Sequence, residues 1–339
     1  ATGVQYTDQR VAQLEVTKQV TSDSGVTAPS TDANGDDLTF EYTFRLPSNG
    51  LLGSAINNTQ EYDAQVFDAS GDAVGDSFKL KDGDKHPIKA GETIRVYGLA
   101  AGDDFTVTET GKHEDLGFSL VSRKKGNEEQ QGEGDAISGK IVETTSSGDI
   151  SQNNRLTFTN AYEATGSLDG SASLRVTKSL VNEDGSARDW DEGDAFTFTL
   201  APGDEATTDA VKEGLITLPG NANGLEISRD AANHASEFGD ITFKAAGTFT
   251  FDVSESRDGA LRPSTTYDAS VKHVRVSVED NGNGTLTARL APGSDPLSFE
   301  NVRRTSKRVY QANDDDKVSL DGRLVSAGEE LTYELTWVN

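Results

Sequence analysis

Strict alternation of apolar and polar residues runs through most of this chain, and three of the alternating segments occur twice in the same order. EVTKQV (15–20) returns as RVTKSL (175–180), AGDDFTVTET (101–110) as AGTFTFDVSES (246–256), and LTFTNAY (156–162) as LSFENVR (297–303). A period of two is the signature of half-buried strands, and an ordered repeat of strands means two copies of one unit. LTFEYTFRL (38–46), TIRVYGL (93–99), RLTFTNAY (155–162), AFTFTL (195–200) and HVRVSVED (273–280) follow the same rule. Only DEATTDAVKEG (204–214) reads as a helix, a short one within a connection.

The alternation predicts an all-β chain of tandem, elongated β-sandwich domains. Residues 1–164 form the first, 165–304 the second, and the polar stretch EATGSLDGSA (163–172) joins them. Residues 305–339 open on a Lys-bearing strand, pass through an acidic turn-rich stretch and reach ELTYELTWV (330–338). So few residues cannot close a sandwich, so this tail is expected to be the opening strands of a further, truncated domain.

Each repeat places one Lys on its first strand, one Glu on a late strand and one Asn on its last. These are Lys18, Glu109 and Asn160, then Lys178, Glu255 and Asn301. Parity puts all six on the core side. Leu14 and Val16 share the face of Lys18, Phe105 and Val107 that of Glu109, and Phe158 that of Asn160. Leu174 and Val176, then Phe251 and Val253, then Phe299 do the same for the second trio. Isolated polar groups are costly to bury unless they satisfy one another, and the same costly trio occurs twice.

Chemistry offers a reason. Burial lowers the pKa of an amine toward its nucleophilic neutral form and raises that of a carboxyl. A Lys and an Asn held together in a dry site beside such a carboxyl can condense to an amide and expel ammonia, with the Glu moving protons. The product leaves no amine charge to bury. The reaction runs once per domain, so the chain is expected not to be an enzyme.

At these motifs the chain resembles the T-antigen-type major pilin domain of Gram-positive bacteria, which also recurs in adhesin stalks. The V-T-K strands, the W-x-x-G-D-x-F-x-F-x-L run at Trp190–Leu200, the V-x-E strands around Glu109 and Glu255, residues 267–290 and the closing F-x-N strands carry the resemblance. It covers nearly all of 10–304 and is looser in the first repeat, where Gly-Asp-Asp (35–37) stands in place of the Trp-containing run. The resemblance implies immunoglobulin-like sandwiches, spontaneous Lys18–Asn160 and Lys178–Asn301 bonds, and Glu109 and Glu255 as their catalysts. It also implies an extracellular, cell-wall-anchored protein whose partners are neighbouring domains of its own polypeptide, with any host ligand met by a tip domain outside this sequence. The tail resembles the opening of another stalk domain, with Lys307 as its linkage Lys. No pilin motif for sortase is evident, which points to a tandem stalk rather than a shaft subunit. LPSNG (46–50) reads as a strand followed by a turn rather than a sorting signal.

Composition narrows the alternatives. With neither Cys nor Met, disulfides, thiolate metal sites and thioester chemistry are excluded. A chain without an initiator Met is expected to start inside a longer precursor. A net charge of −26 repels phosphate backbones and anionic lipid, so neither nucleic acid nor membrane insertion is expected. No apolar run is long enough for a signal peptide or a span. A ligand-binding adhesin module recognising host glycan or matrix protein is the alternative, but only two Trp are present and Trp190 belongs to the framework run. Hydrolysis finds no support, since His86, His113, His234 and His273 sit in unrelated contexts without a catalytic motif. The acidic turns DANGDD (32–37) and NDDD (313–316) complete no calcium loop. No cofactor and no metal are expected.

Overall fold

A computed structural model describes residues 11–23, 25–32, 34–47, 60–132, 134–143, 149–257, 264–304, 306–311 and 330–336. The chain divides into two compact units. The first holds residues 1–166 with 244–247 and 279–287, and the second holds 167–243, 248–278 and 288–339. Both are built from strands, so the all-β class expected from the alternation is the class observed.

In the first unit the site-bearing strands are β1 (Val11–Ser22), β2 (Thr39–Arg45), β3 (Thr93–Ala100), β4 (Asp104–Glu109), β5 (Phe118–Lys125) and β6 (Arg155–Tyr162). A seven-stranded sheet holds β1 between β3 and β6, with β5 on the far side of β6; a four-stranded sheet sets β4 beside β2. The two sheets face each other across a dry core, with Leu14, Val16 and Phe158 on one side and Phe40, Tyr42 and Val107 on the other. Tyr42 meets Phe158 edge-on at 5.1 Å between ring centroids, and Phe40 meets Phe118 at 5.5 Å, the geometry that aromatic quadrupoles favour.

The second unit repeats the scheme. Its strands are β7 (Arg175–Asn182), β8 (Ala195–Pro202), β9 (Gly247–Glu255), β10 (Val271–Asp280) and β11 (Ser298–Arg303). One sheet has four strands with β7 beside β11, and a five-stranded sheet contains β8, β9 and β10 as neighbours. Phe198 and Phe299, the counterparts of Tyr42 and Phe158, join the sheets at 5.0 Å. The helix expected in the connection runs over Glu205–Lys212, capped by Asp204, whose carboxylate accepts the Thr207 N–H at 2.7 Å.

In both units the first and last strands run parallel, side by side. Lys18 is the register partner of Phe158 and Val20 that of Asn160; Lys178 is the partner of Phe299 and Leu180 that of Asn301. In the tail, Ser306–Gln311 and Leu331–Thr336 form an antiparallel pair with Lys307 opposite Leu335.

Candidate functional site

The register of β1 is fixed from its outward face. Glu15 is the cross-strand partner of both Arg95 on β3 and Arg155 on β6. Its carboxylate takes Arg95 Nη2 at 2.6 Å and Arg155 Nε at 3.3 Å. A slip by one residue would turn every side chain of a strand to the wrong face, so this three-strand clamp sets the depth of Lys18. The second unit fixes its last strand instead. Arg303, two residues beyond Asn301, is held by Asp191 at 3.0 Å and by the buried Asp194 at 2.6 Å.

The fold brings each trio together. All six side chains are buried. In the first unit Lys18 Nζ donates to Glu109 Oε1 at 2.7 Å, and Asn160 Nδ2 donates to the same oxygen at 2.9 Å. In the second, Lys178 Nζ donates to Glu255 Oε2 at 3.0 Å, and Asn301 Nδ2 to the other oxygen, Oε1, at 2.8 Å. Lys and Asn come from one sheet and Glu from the facing one, so a single carboxyl reaches both nitrogens across the core. Aromatic rings floor both sites, with Lys18 Nζ 4.1 Å from the Phe40 centroid and Lys178 Nζ 5.1 Å from that of Phe196.

Burial sets the protonation. Desolvation lowers the Lys18 amine to about 8, against the pull of Glu109, and lowers Lys178 to about 8 against that of Glu255. The Glu109 carboxyl is pushed up by its burial, with Lys18 opposing. Both amines therefore reach the neutral form far more readily than a lysine in water.

Other residues singled out in the sequence lie apart from these sites. Trp190 is buried, stacked on His234 at 4.2 Å and edge-on to Phe196 at 5.1 Å, so it is a core ring rather than a sugar platform. His86 stacks on Phe78 at 3.9 Å, His113 Nε2 bonds the Thr39 carbonyl at 2.6 Å, and His273 Nδ1 lies 2.7 Å from Asp252. In the 32–37 turn the Asp32 carboxylate accepts the N–H groups of Asn34 and Asp36. NDDD (313–316) and residues 48–50 of LPSNG lie outside the described residues. No described helix is long and apolar enough to cross a membrane. Residues that sequence reasoning did not single out are Glu15 and Asp268, the latter donating its backbone N–H to Asn301 Oδ1 at 2.7 Å.

A family model described as "Spy0128-like isopeptide containing domain" matches residues 174–303. The match spans 130 of the 339 residues. The isopeptide-domain family is a structural pilin family rather than a family of enzymes, and the match supports a structural role of the pilus or surface-protein kind. The T-antigen-type resemblance read from the V-T-K, V-x-E and F-x-N strands is thereby borne out. Residues 12–162 match a second model, "Domain of unknown function (DUF7601)". No curated protein matches the chain. Among solved structures it is similar to the pilus-presented adhesin Spy0125 (Cpa), at 20% identity and a TM-score of 0.27, over 45% of this chain and 27% of that one. It is also similar to a C-terminal fragment of the pilus adhesin SpaC from Lactobacillus rhamnosus GG, at 12% identity, TM-score 0.19, 86% and 96% coverage. The major pilin T-13 of Streptococcus pyogenes gives 13% identity, TM-score 0.21, 87% and 98% coverage. The chain thus spans about a quarter of the length of the first of these adhesins.

Proposed function

We propose that this chain is a structural stalk of a cell-wall-anchored Gram-positive surface protein, an adhesin or pilin, made of tandem immunoglobulin-like domains that each lock themselves with one Lys–Asn amide. The observation that carries the reading is the double occurrence of a buried Lys–Glu–Asn trio at one register, bonded through one carboxyl. A lone buried ion pair with an Asn would be an expensive way to fill a core, whereas condensation to a neutral amide leaves no amine charge to bury.

In the reaction the neutral Lys Nζ attacks Asn Cγ, forming the Nζ–Cγ bond and placing the displaced electron pair on Oδ1. The Glu carboxylate takes one proton from Nζ and returns one to Nδ2. The oxygen pair collapses to the carbonyl, the Cγ–Nδ2 bond breaks, and ammonia leaves with the carboxylate regenerated. Lys18, Glu109 and Asn160 perform it in the first domain and Lys178, Glu255 and Asn301 in the second. Domains 1–164 and 165–304 are the two locked repeats, and 305–339 opens a further one. Other domains of the same polypeptide are the partners, outside the cell.

Intact mass tests this directly. The purified chain is expected to be lighter than its sequence by two ammonia molecules, and Glu109→Ala and Glu255→Ala are each expected to restore one. A mass equal to the sequence would sink the reading and bring the ligand-binding module forward.

A further inference from the structure

The two sites differ at the oxygen that becomes negative. Attack on the Asn carboxamide sends charge onto Oδ1, and donors already aimed at that atom supply a large part of catalysis in acyl transfer. In the first unit Asn160 Oδ1 is buried and has no hydrogen-bond partner among the described residues; the same holds for Glu109 Oε2 and the Tyr42 hydroxyl. In the second unit Asn301 Oδ1 accepts the backbone N–H of Asp268 at 2.7 Å.

That N–H is held in place by its own side chain. Asp268 Oδ2 accepts the backbone N–H of Glu300, the residue before Asn301, at 3.0 Å. Asp268 Oδ1 accepts the N–H of Ser270 at 2.9 Å. The carboxylate therefore staples the loop before β10 onto β11 beside the reacting carboxamide. Glu255 is left with one oxygen on each nitrogen, so it need not serve Oδ1 at all.

Resting on the cross-linking reading above, we propose that the Asp268 backbone N–H is an oxyanion donor for the Lys178–Asn301 condensation, that the Asp268 carboxylate is its positioning group, and that the second domain therefore locks faster than the first. The amines do not account for such a difference, because burial lowers both to about 8. Deleting an oxyanion donor costs on the order of 10²–10³ in rate; loosening its support is expected to cost about ten- to a hundredfold.

The test uses the full chain made by cell-free synthesis, sampled over time, quenched in acid and digested. The Lys18–Asn160 and Lys178–Asn301 linked peptides are then quantified by mass spectrometry. Wild type is expected to link 178–301 with the larger rate constant, each followed from the end of synthesis. Asp268→Ala should slow that link and leave 18–160 unchanged, and Asp268→Asn, which keeps one acceptor oxygen, should fall between. The pH profile separates catalysis from collapse. Lys178 faces Glu255 and also senses Asp268 and Glu300, so removing the Asp268 charge holds the midpoint or moves it slightly down. A site merely opened to water would move it up toward the ordinary lysine value. The proposal is overturned if 18–160 links with the larger rate constant in wild type, if Asp268→Ala links at the wild-type rate, or if its slowing comes with a raised midpoint. If wild type never links at 178–301, the cross-linking reading itself fails.

Discussion

Lys18 stands two positions short of Asn160 in the parallel ladder that joins the first and last strands of its unit, facing Phe158 instead. Lys178 and Asn301 repeat the offset, with Lys178 facing Phe299. Directly opposed side chains would leave a long Lys with nowhere to extend. A two-residue offset keeps both on the core face and lets the amine reach along the strand toward the carboxamide.

That offset makes the amine's titration observable. Asn160→Ala blocks the first link and Asn301→Ala the second, and the buried Lys of the blocked site stays an amine lowered to about 8. The unfolded chain holds the same proton up to about 10.5. Between those values the unfolded state binds more protons, so folded stability must rise with pH across that window and lie at its lowest contribution below it. Urea midpoints measured from neutral to alkaline pH should climb. Adding Lys18→Met or Lys178→Met to the same chain should flatten the climb, and a climb that survives this change would contradict the assignment.

Force offers a second readout. With links at 18–160 and 178–301 in place, residues 19–159 and 179–300 lie outside the loaded path. Single-molecule stretching of wild type is expected to show neither unit extending. Asn160→Ala should release roughly 45 nm and Asn301→Ala roughly 40 nm, from about 3.4 Å per extended residue. Each lost link should also cost on the order of 4–5 kcal/mol of chain-entropy stabilisation, by analogy with a disulfide closing a loop of that size. Full extension of wild type at the first unfolding event would refute the locked path.

The Tyr42 hydroxyl is buried with no partner among the described residues, and the equivalent position in the second unit is Phe198. Tyr42→Phe should therefore be neutral or stabilise the first unit by up to about 1 kcal/mol, since an unsatisfied buried group is removed without loss of the ring. The Lys18–Asn160 link should form at its usual rate. A slower link would show that the hydroxyl takes part in the chemistry.

Much of this was legible because burial obeys parity. Leu14, Val16 and Lys18 share one buried face, as do Phe105, Val107 and Glu109, and no three-dimensional knowledge is needed to see it. Ala73–Leu80 was not legible, because an almost wholly exposed strand carries no alternation. The clamp of Glu15 by Arg95 and Arg155 depends on which strands become neighbours, and the two arginines lie far apart in sequence. The Asp268 donor is a main-chain group, and every residue but proline has one; only the closed loop reveals it. The looser first repeat has a counterpart in its match to a different family model from the second.

The parallel ladder also has a consequence in time. β1 leaves the ribosome first and can pair with β3 midway through synthesis, but its other neighbour, β6, is made last. A sheet whose centre waits for its final strand is rich in distant pairings, which slow folding. Each unit thus stays open until its last strand emerges, and the residue that would seal it, Asn160 or Asn301, arrives on that same strand.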